Sequence, residues 1–100
     1  MEKSMEDKIE EIIEHFDFEK VLDVMKHLDW KWSIGNENRT PNIPELKSRA
    51  RDVLQDVVDD QHTFWSISTG GFCARKQKNN LELVFQLTRW TIIEKGNQYA

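Results

Sequence analysis

The chain has a single cysteine, Cys73, so no disulfide can form within it, which fits a reducing compartment. No apolar run approaches the roughly 20 residues of a membrane span, and the N-terminal MEKSMEDKIEEIIEHF is too charged for a secretory signal. Nor is there a strong excess of one charge: 18 acidic against 14 basic side chains leave a formal charge of −4. That balance argues against a non-specific grip on nucleic acid, which depends on a basic surplus, and reads instead as solubility. HExxH, CxxC and Walker-type spacings are missing, as are internal repeats and low-complexity tracts. These absences lead us to expect a cytoplasmic protein with no cofactor, no metal ligands and no catalytic residues, hence not an enzyme.

What is present suffices for one domain with one core, since the chain has 100 residues. Residues 2–15 read as an amphipathic helix, with Met5, Ile9, Ile12, Ile13 and Phe16 at helical spacing. Asp17 is placed to cap a second helix over 17–28, whose apolar face is Phe18, Val21, Leu22, Met25 and Leu28. The glutamate or glutamine of a capping box is replaced by Lys20, so that cap rests on Asp17 alone. From Trp30 the period falls to two, and residues 30–34 are expected to form a strand that joins the main sheet. Gly35-Asn36-Glu37-Asn38 breaks it. Pro44 then suits the first turn of a helix over 44–60, with Ile43 or Leu46, Ala50, Val53, Leu54, Val57 and Val58 inward.

Strands are expected at 64–68, 72–78 and 81–92. With Asn79-Asn80 as a two-residue turn, Phe72 faces Leu87, Ala74 faces Phe85 and Lys76 faces Leu83 on an apolar face. Cys73, Arg75, Gln77, Glu82, Val84 and Gln86 then occupy the opposite, more polar face, as in a sheet covered by helices on one side. The expected architecture is α+β, in the order α-α-β-α-β-β-β. Trp65 and Ile67 match the parity of Phe72 and Ala74 only if one residue is absorbed between them, and a bulge at Gly70-Gly71 is preferred to a tight hairpin at Thr69-Gly70. The same Ser68, Thr69, Gly70 and Gly71 are a candidate anion nest of backbone N–H groups, although the bulge explains the glycines without a ligand.

Other constellations have plainer explanations. Cys73 with His62 lacks an orienting acid, and His15 and His27 sit at helix ends. Asp52, Asp56, Asp59 and Asp60 form an acidic stripe that reads as a solvated helix face, with a docking surface for a basic partner as the alternative. Trp30, Trp32, Trp65 and Trp90 are core candidates, with Trp90 expected on the uncovered face beside Val84. An exposed indole there, together with Arg75, Val84 and Arg89, is the candidate partner-binding surface.

The segments FDFEKVLDVMKHLDWKW, TPNIPELKSRARDVLQDVV and SISTGGFCARKQKNNLELVFQLTRW resemble a group of small uncharacterised bacteriophage and prophage proteins. The resemblance rests on the Trp-x-Trp strand, the Pro-initiated helix and the Ser-Thr-Gly-Gly-Phe step. It implies a phage-linked origin, location in the host cytoplasm and an α+β fold, and it supplies no catalytic motif. Three functional expectations follow. The first is an interaction protein that binds a host or phage protein, an inhibitor of a host defence system being one case. The second is an accessory protein that stacks nucleic-acid bases on the open sheet with help from Lys31, Arg75, Lys76 and Arg89. The third is a small enzyme or anion-binding protein built on the Thr-Gly-Gly loop. A sheet edge also offers a route to homodimers.

Overall fold

The computed structural model describes residues 4–59, 66–67, 71–77, 80–87 and 90–95, with residues 66–67 and 90–95 followed as backbone. Among them run α1 (Met5–His15), α2 (Phe18–His27), β1 (Trp32–Ile34), β2 (Glu37–Arg39), α3 (Ile43–Asp59), β3 (Ser66–Ile67), β4 (Phe72–Gln77), β5 (Asn80–Leu87) and β6 (Trp90–Lys95). The fold is α+β, with two antiparallel sheets, a β1–β2 hairpin and a sheet of order β3-β4-β5-β6.

Local chemistry explains the helix limits. Ser4 is extended and its hydroxyl accepts from the Asp7 amide at 3.1 Å, so α1 begins at Met5 rather than at residue 2. Asp17 caps α2 as expected, its Oδ1 accepting from the Lys20 amide at 3.0 Å. Asn42 and Glu45 form a reciprocal capping box, with the Glu45 amide donating to Asn42 Oδ1 at 3.0 Å and the Asn42 amide to Glu45 Oε1 at 2.9 Å. Helix α3 therefore starts at Ile43, one residue before the proline. At its other end Lys76 of β4 donates from Nζ to the Val58 carbonyl at 3.2 Å.

The apolar stripes of the three helices meet one face of the larger sheet. Ile9, Ile12, Ile13, Val21, Met25, Leu46, Ala50, Val53, Leu54 and Val57 join Phe72, Ala74, Leu81, Leu83, Phe85 and Leu87 in a continuous core. Phe16, Phe18, Phe72 and Phe85 form an aromatic chain through it, with the Phe72 and Phe85 rings 4.8 Å apart and tilted at 61°.

Several sequence expectations need correction. Strand β1 does not join the main sheet. It pairs with β2, which the polar Glu37-Asn38-Arg39 gave no alternation to reveal. The segment 81–92 is two strands, β5 and β6, which pair with each other from Leu87↔Trp90 to Glu82↔Lys95. The β4–β5 register is Phe72↔Phe85, Ala74↔Leu83 and Lys76↔Leu81, two residues away from the one expected. A slip of two preserves every side chain's face, so the assignment of faces stands while the partners change. The last pair is Gln77↔Asn80, so the two linking residues are 78 and 79 rather than Asn79-Asn80.

Strand β3 pairs antiparallel with β4 through Ser66↔Ala74 and Ile67↔Cys73. The two strands run antiparallel, so they are not one strand continuing through a bulge as preferred; residues 68–70 between them lie outside the described residues. Ile67 shares the register position of Cys73, not the parity of Phe72 and Ala74.

Candidate functional site

The polar face of the larger sheet, where sequence reasoning placed the partner-binding residues, is more self-contained than expected. Arg75 is registered with Glu82 on β5, and its Nη2 donates to Glu82 Oε1. Glu82 is only 9% exposed and Val84 only 7%, so Val84 offers little surface as an anchor. Cys73, half-buried beside Val84, has its thiol pKa pushed up by burial, which keeps it protonated and poorly nucleophilic. Trp90 is described as backbone alone and is registered with Leu87, because β6 is a separate strand. Arg89 lies outside the described residues.

Of the candidate anion nest, Ser68, Thr69 and Gly70 also lie outside them. Gly71 has a structural role of its own. Its φ is +97°, and a Cβ there would meet Leu87 Cδ2 and Phe85 Cε1 at 3.1 Å and the Gln86 carbonyl at 3.2 Å. Its carbonyl accepts from the Gln86 amide at 2.9 Å, extending the β4–β5 ladder by one position. The cationic groups considered for nucleic acid do not converge. Lys31 lies 3.8 Å from Asp29, Arg75 is paired with Glu82, and Lys76 reaches the end of α3. Among the described residues no three His, Cys, Asp or Glu side chains converge as metal ligands would.

A different site emerges between the small hairpin and α3. The sequence builds it from three local decisions. Gly35, with φ +62°, occupies the first central position of the two-residue turn Gly35-Asn36, the place a type II′ turn reserves for glycine. That turn returns the chain as β2, which carries Arg39 back toward the start of α3. Arg39 then clamps Glu45 with two parallel bonds, Nη1 to Oε1 at 2.9 Å and Nη2 to Oε2 at 2.7 Å. Glu45 is thus shared between the hairpin and the capping box. The Arg39 guanidinium, followed by the Asn42 amide, holds its carboxyl below the usual carboxylate range.

The clamp leaves a cleft of about 240 Å³ lined by Trp32, Ser33 and Ile34 of β1 and by Glu45, Ser48, Arg49 and Asp52 of α3. The helix residues fall at i, i+3, i+4 and i+7, hence on one stripe of α3. The exposed Arg49 guanidinium lies 5.7 Å from the centre of the half-buried Trp32 ring, within cation–π range. It has no ion-pair partner among the described residues. The Trp32 Nε1 donor is buried and unpaired, a cost of about 1–3 kcal/mol in general terms. The wall therefore combines an indole face, a stacked cation, two hydroxyls and carboxylates already engaged or solvated. Those are groups that bind and orient. No nucleophile–base pair stands among them.

The sequence alone favours Trp32 as a core residue over a base-stacking one and does not single out Arg49. The legible signals were Asn42-x-x-Glu45, a capping-box pattern, and the Trp-x-Trp strand with glycine directly after it. Comparison with models of protein families, with curated proteins and with solved structures gives no match for this chain.

Proposed function

We propose that the protein is a non-catalytic binding module for another protein and that the cleft between β1 and α3 is its contact site. The observation that carries this reading is Arg49, a cation stacked on Trp32 at 5.7 Å and unmatched by any carboxylate partner among the described residues. Tryptophan and arginine are the side chains that most often anchor protein interfaces, because each combines large contact area with directional polar groups. The resemblance to small phage and prophage proteins makes a host or phage protein the class of partner to expect, with a component of a host defence system as one case.

The reading predicts that a tagged full-length chain recovers one protein in stoichiometric amount from host lysate. Arg49→Glu should lose that protein, while Asp23→Asn, at an exposed position of α2, should retain it. Equal recovery by the Arg49→Glu variant, folded by its amide spectrum, would sink the assignment to this cleft.

A further inference from the structure

We propose that the cleft receives an extended peptide segment of the partner, which adds to β1 as a third strand and sets an acidic side chain against Arg49. This rests on the binding-module reading above and deepens it by naming the form and charge of what is bound.

The first ground is the position of the cleft relative to the strand. Side chains alternate across a β-strand, so those of Trp32 and Ile34 share a face that Ser33's does not. All three consecutive residues line the cleft, so it reaches the main chain of β1 as well as one row of its side chains. The second ground is the hydrogen-bond parity of the hairpin. In a two-residue hairpin the pair next to the turn, here Ile34↔Glu37, exchanges both bonds, and the next pair, Ser33↔Asn38, exchanges none. The N–H and C=O of Ser33 therefore point away from β2, toward the unpaired edge. None of the loop, cap or inter-element backbone bonds among the described residues involves Ser33.

An open strand edge beside a helix stripe is the arrangement in which extended peptides dock by strand addition, main chain on the edge and side chains against the helix. Charge sets what that helix selects. Glu45 is occupied by Arg39 and Asn42. Arg49 is the one cation among the described lining residues, and it has no ion pair among the described residues. An aspartate or glutamate completes that pair.

The test uses a displayed library of random linear octapeptides selected on the immobilised full-length chain at low salt. An enriched peptide is then synthesised and titrated into the labelled protein. Strand addition predicts amide shifts centred on Ser33, Ile34, Ser48 and Arg49, slowed hydrogen exchange at the Ser33 amide, and a recurring acidic position. Neutralising that position, or Arg49→Gln, should weaken binding about tenfold. Ser33→Pro removes the outward donor while sparing the ladder to β2, and should weaken binding by about the same factor. Should that variant unfold the hairpin, single N-methylation along the peptide supplies the same information from the other side, and one methylated position should abolish binding.

The proposal is overturned if no linear peptide is enriched, if the shifts fall elsewhere, or if a folded Ser33→Pro variant or the entire N-methyl scan keeps native affinity. It is equally overturned if the Ser33 amide becomes protected by self-association without peptide, which would make a second copy the occupant. A partner captured in an Arg49-dependent way with no peptide enriched would leave the binding module standing and remove strand addition.

Discussion

Phe85, in the middle of the larger sheet, has no exposed surface and packs its ring 4.8 Å from that of Phe72. Trp32, in the two-stranded hairpin, keeps part of its ring at a cleft, lies under Arg49 and leaves its indole donor unpaired. Both are aromatic residues on antiparallel strands. The difference is in what holds each strand. The larger sheet is held by burial, with helices covering one face and a salt bridge filling part of the other. The hairpin has Trp32 packed partly against the core and is otherwise tied to α3 by polar contacts that converge on one carboxylate, Glu45. The region fixed by packing has little chemistry left to offer, whereas the region fixed by polar contacts retains an open edge, a stacked cation and an unpaired donor. Local opening draws on contacts of this second kind, so binding surfaces are often built from them.

The sharpest way to separate the two regions is to damage each in turn. Phe85→Ala empties the centre of the core and should cost about 3–5 kcal/mol, a large share of the roughly 5–15 kcal/mol by which small domains are stable. Urea unfolding should show one cooperative transition moved to much lower denaturant. Survival of the native midpoint would mean that the aromatic chain is not what holds the sheet.

Asn42→Ala should act more locally. Losing this cap is worth about 1 kcal/mol, and the first turn of α3 and the β1–β2 hairpin should exchange their amides faster while β4 and β5 keep their protection. Uniform loss of protection across both regions would erase the distinction drawn between them.

Acid should give the smallest effect. Arg39 and Asn42 depress the carboxyl of Glu45 in the folded chain, so its stabilising contribution is complete above the unfolded value of about 4.3 and is lost as pH falls through the lower folded value. Glu10, lowered by Arg51, follows the same direction where α1 meets α3. Shifts of the Asn42 and Glu45 amides should therefore mark release of the hairpin at acid pH, and a Glu45→Gln variant should lack that transition. A transition unchanged in the variant would assign it to another carboxylate.

The same contrast explains what the amino-acid sequence discloses. The core is legible because burial writes a period into the chain: Ile9, Ile12 and Ile13 or Val53, Leu54 and Val57 repeat at helical spacing, and Phe72, Ala74, Leu83 and Phe85 alternate. Faces are legible to the same degree, but register is not, since a two-residue slip leaves every face unchanged. Strand β2 is illegible because Glu37-Asn38-Arg39 buries no apolar side chain and so has no alternation to display. The division of 81–92 into β5, ending at Leu87, and β6, starting at Trp90, is illegible because neither glycine nor proline stands between them in the sequence. The cleft was the hardest to foresee. It depends on Arg39 meeting Glu45 and Arg49 meeting Trp32, contacts between elements that individually look like solvated charge and core aromatic.

The bond from Lys76 to the Val58 carbonyl has a consequence for the order of assembly. The last turn of α3 contains no basic residue and ends at Asp59, which leaves the negative end of the helix dipole uncompensated by its own sequence. The compensating ammonium arrives 18 residues later, on β4. Helix α3 is therefore complete in sequence before the ammonium that compensates its negative end has been added to the chain.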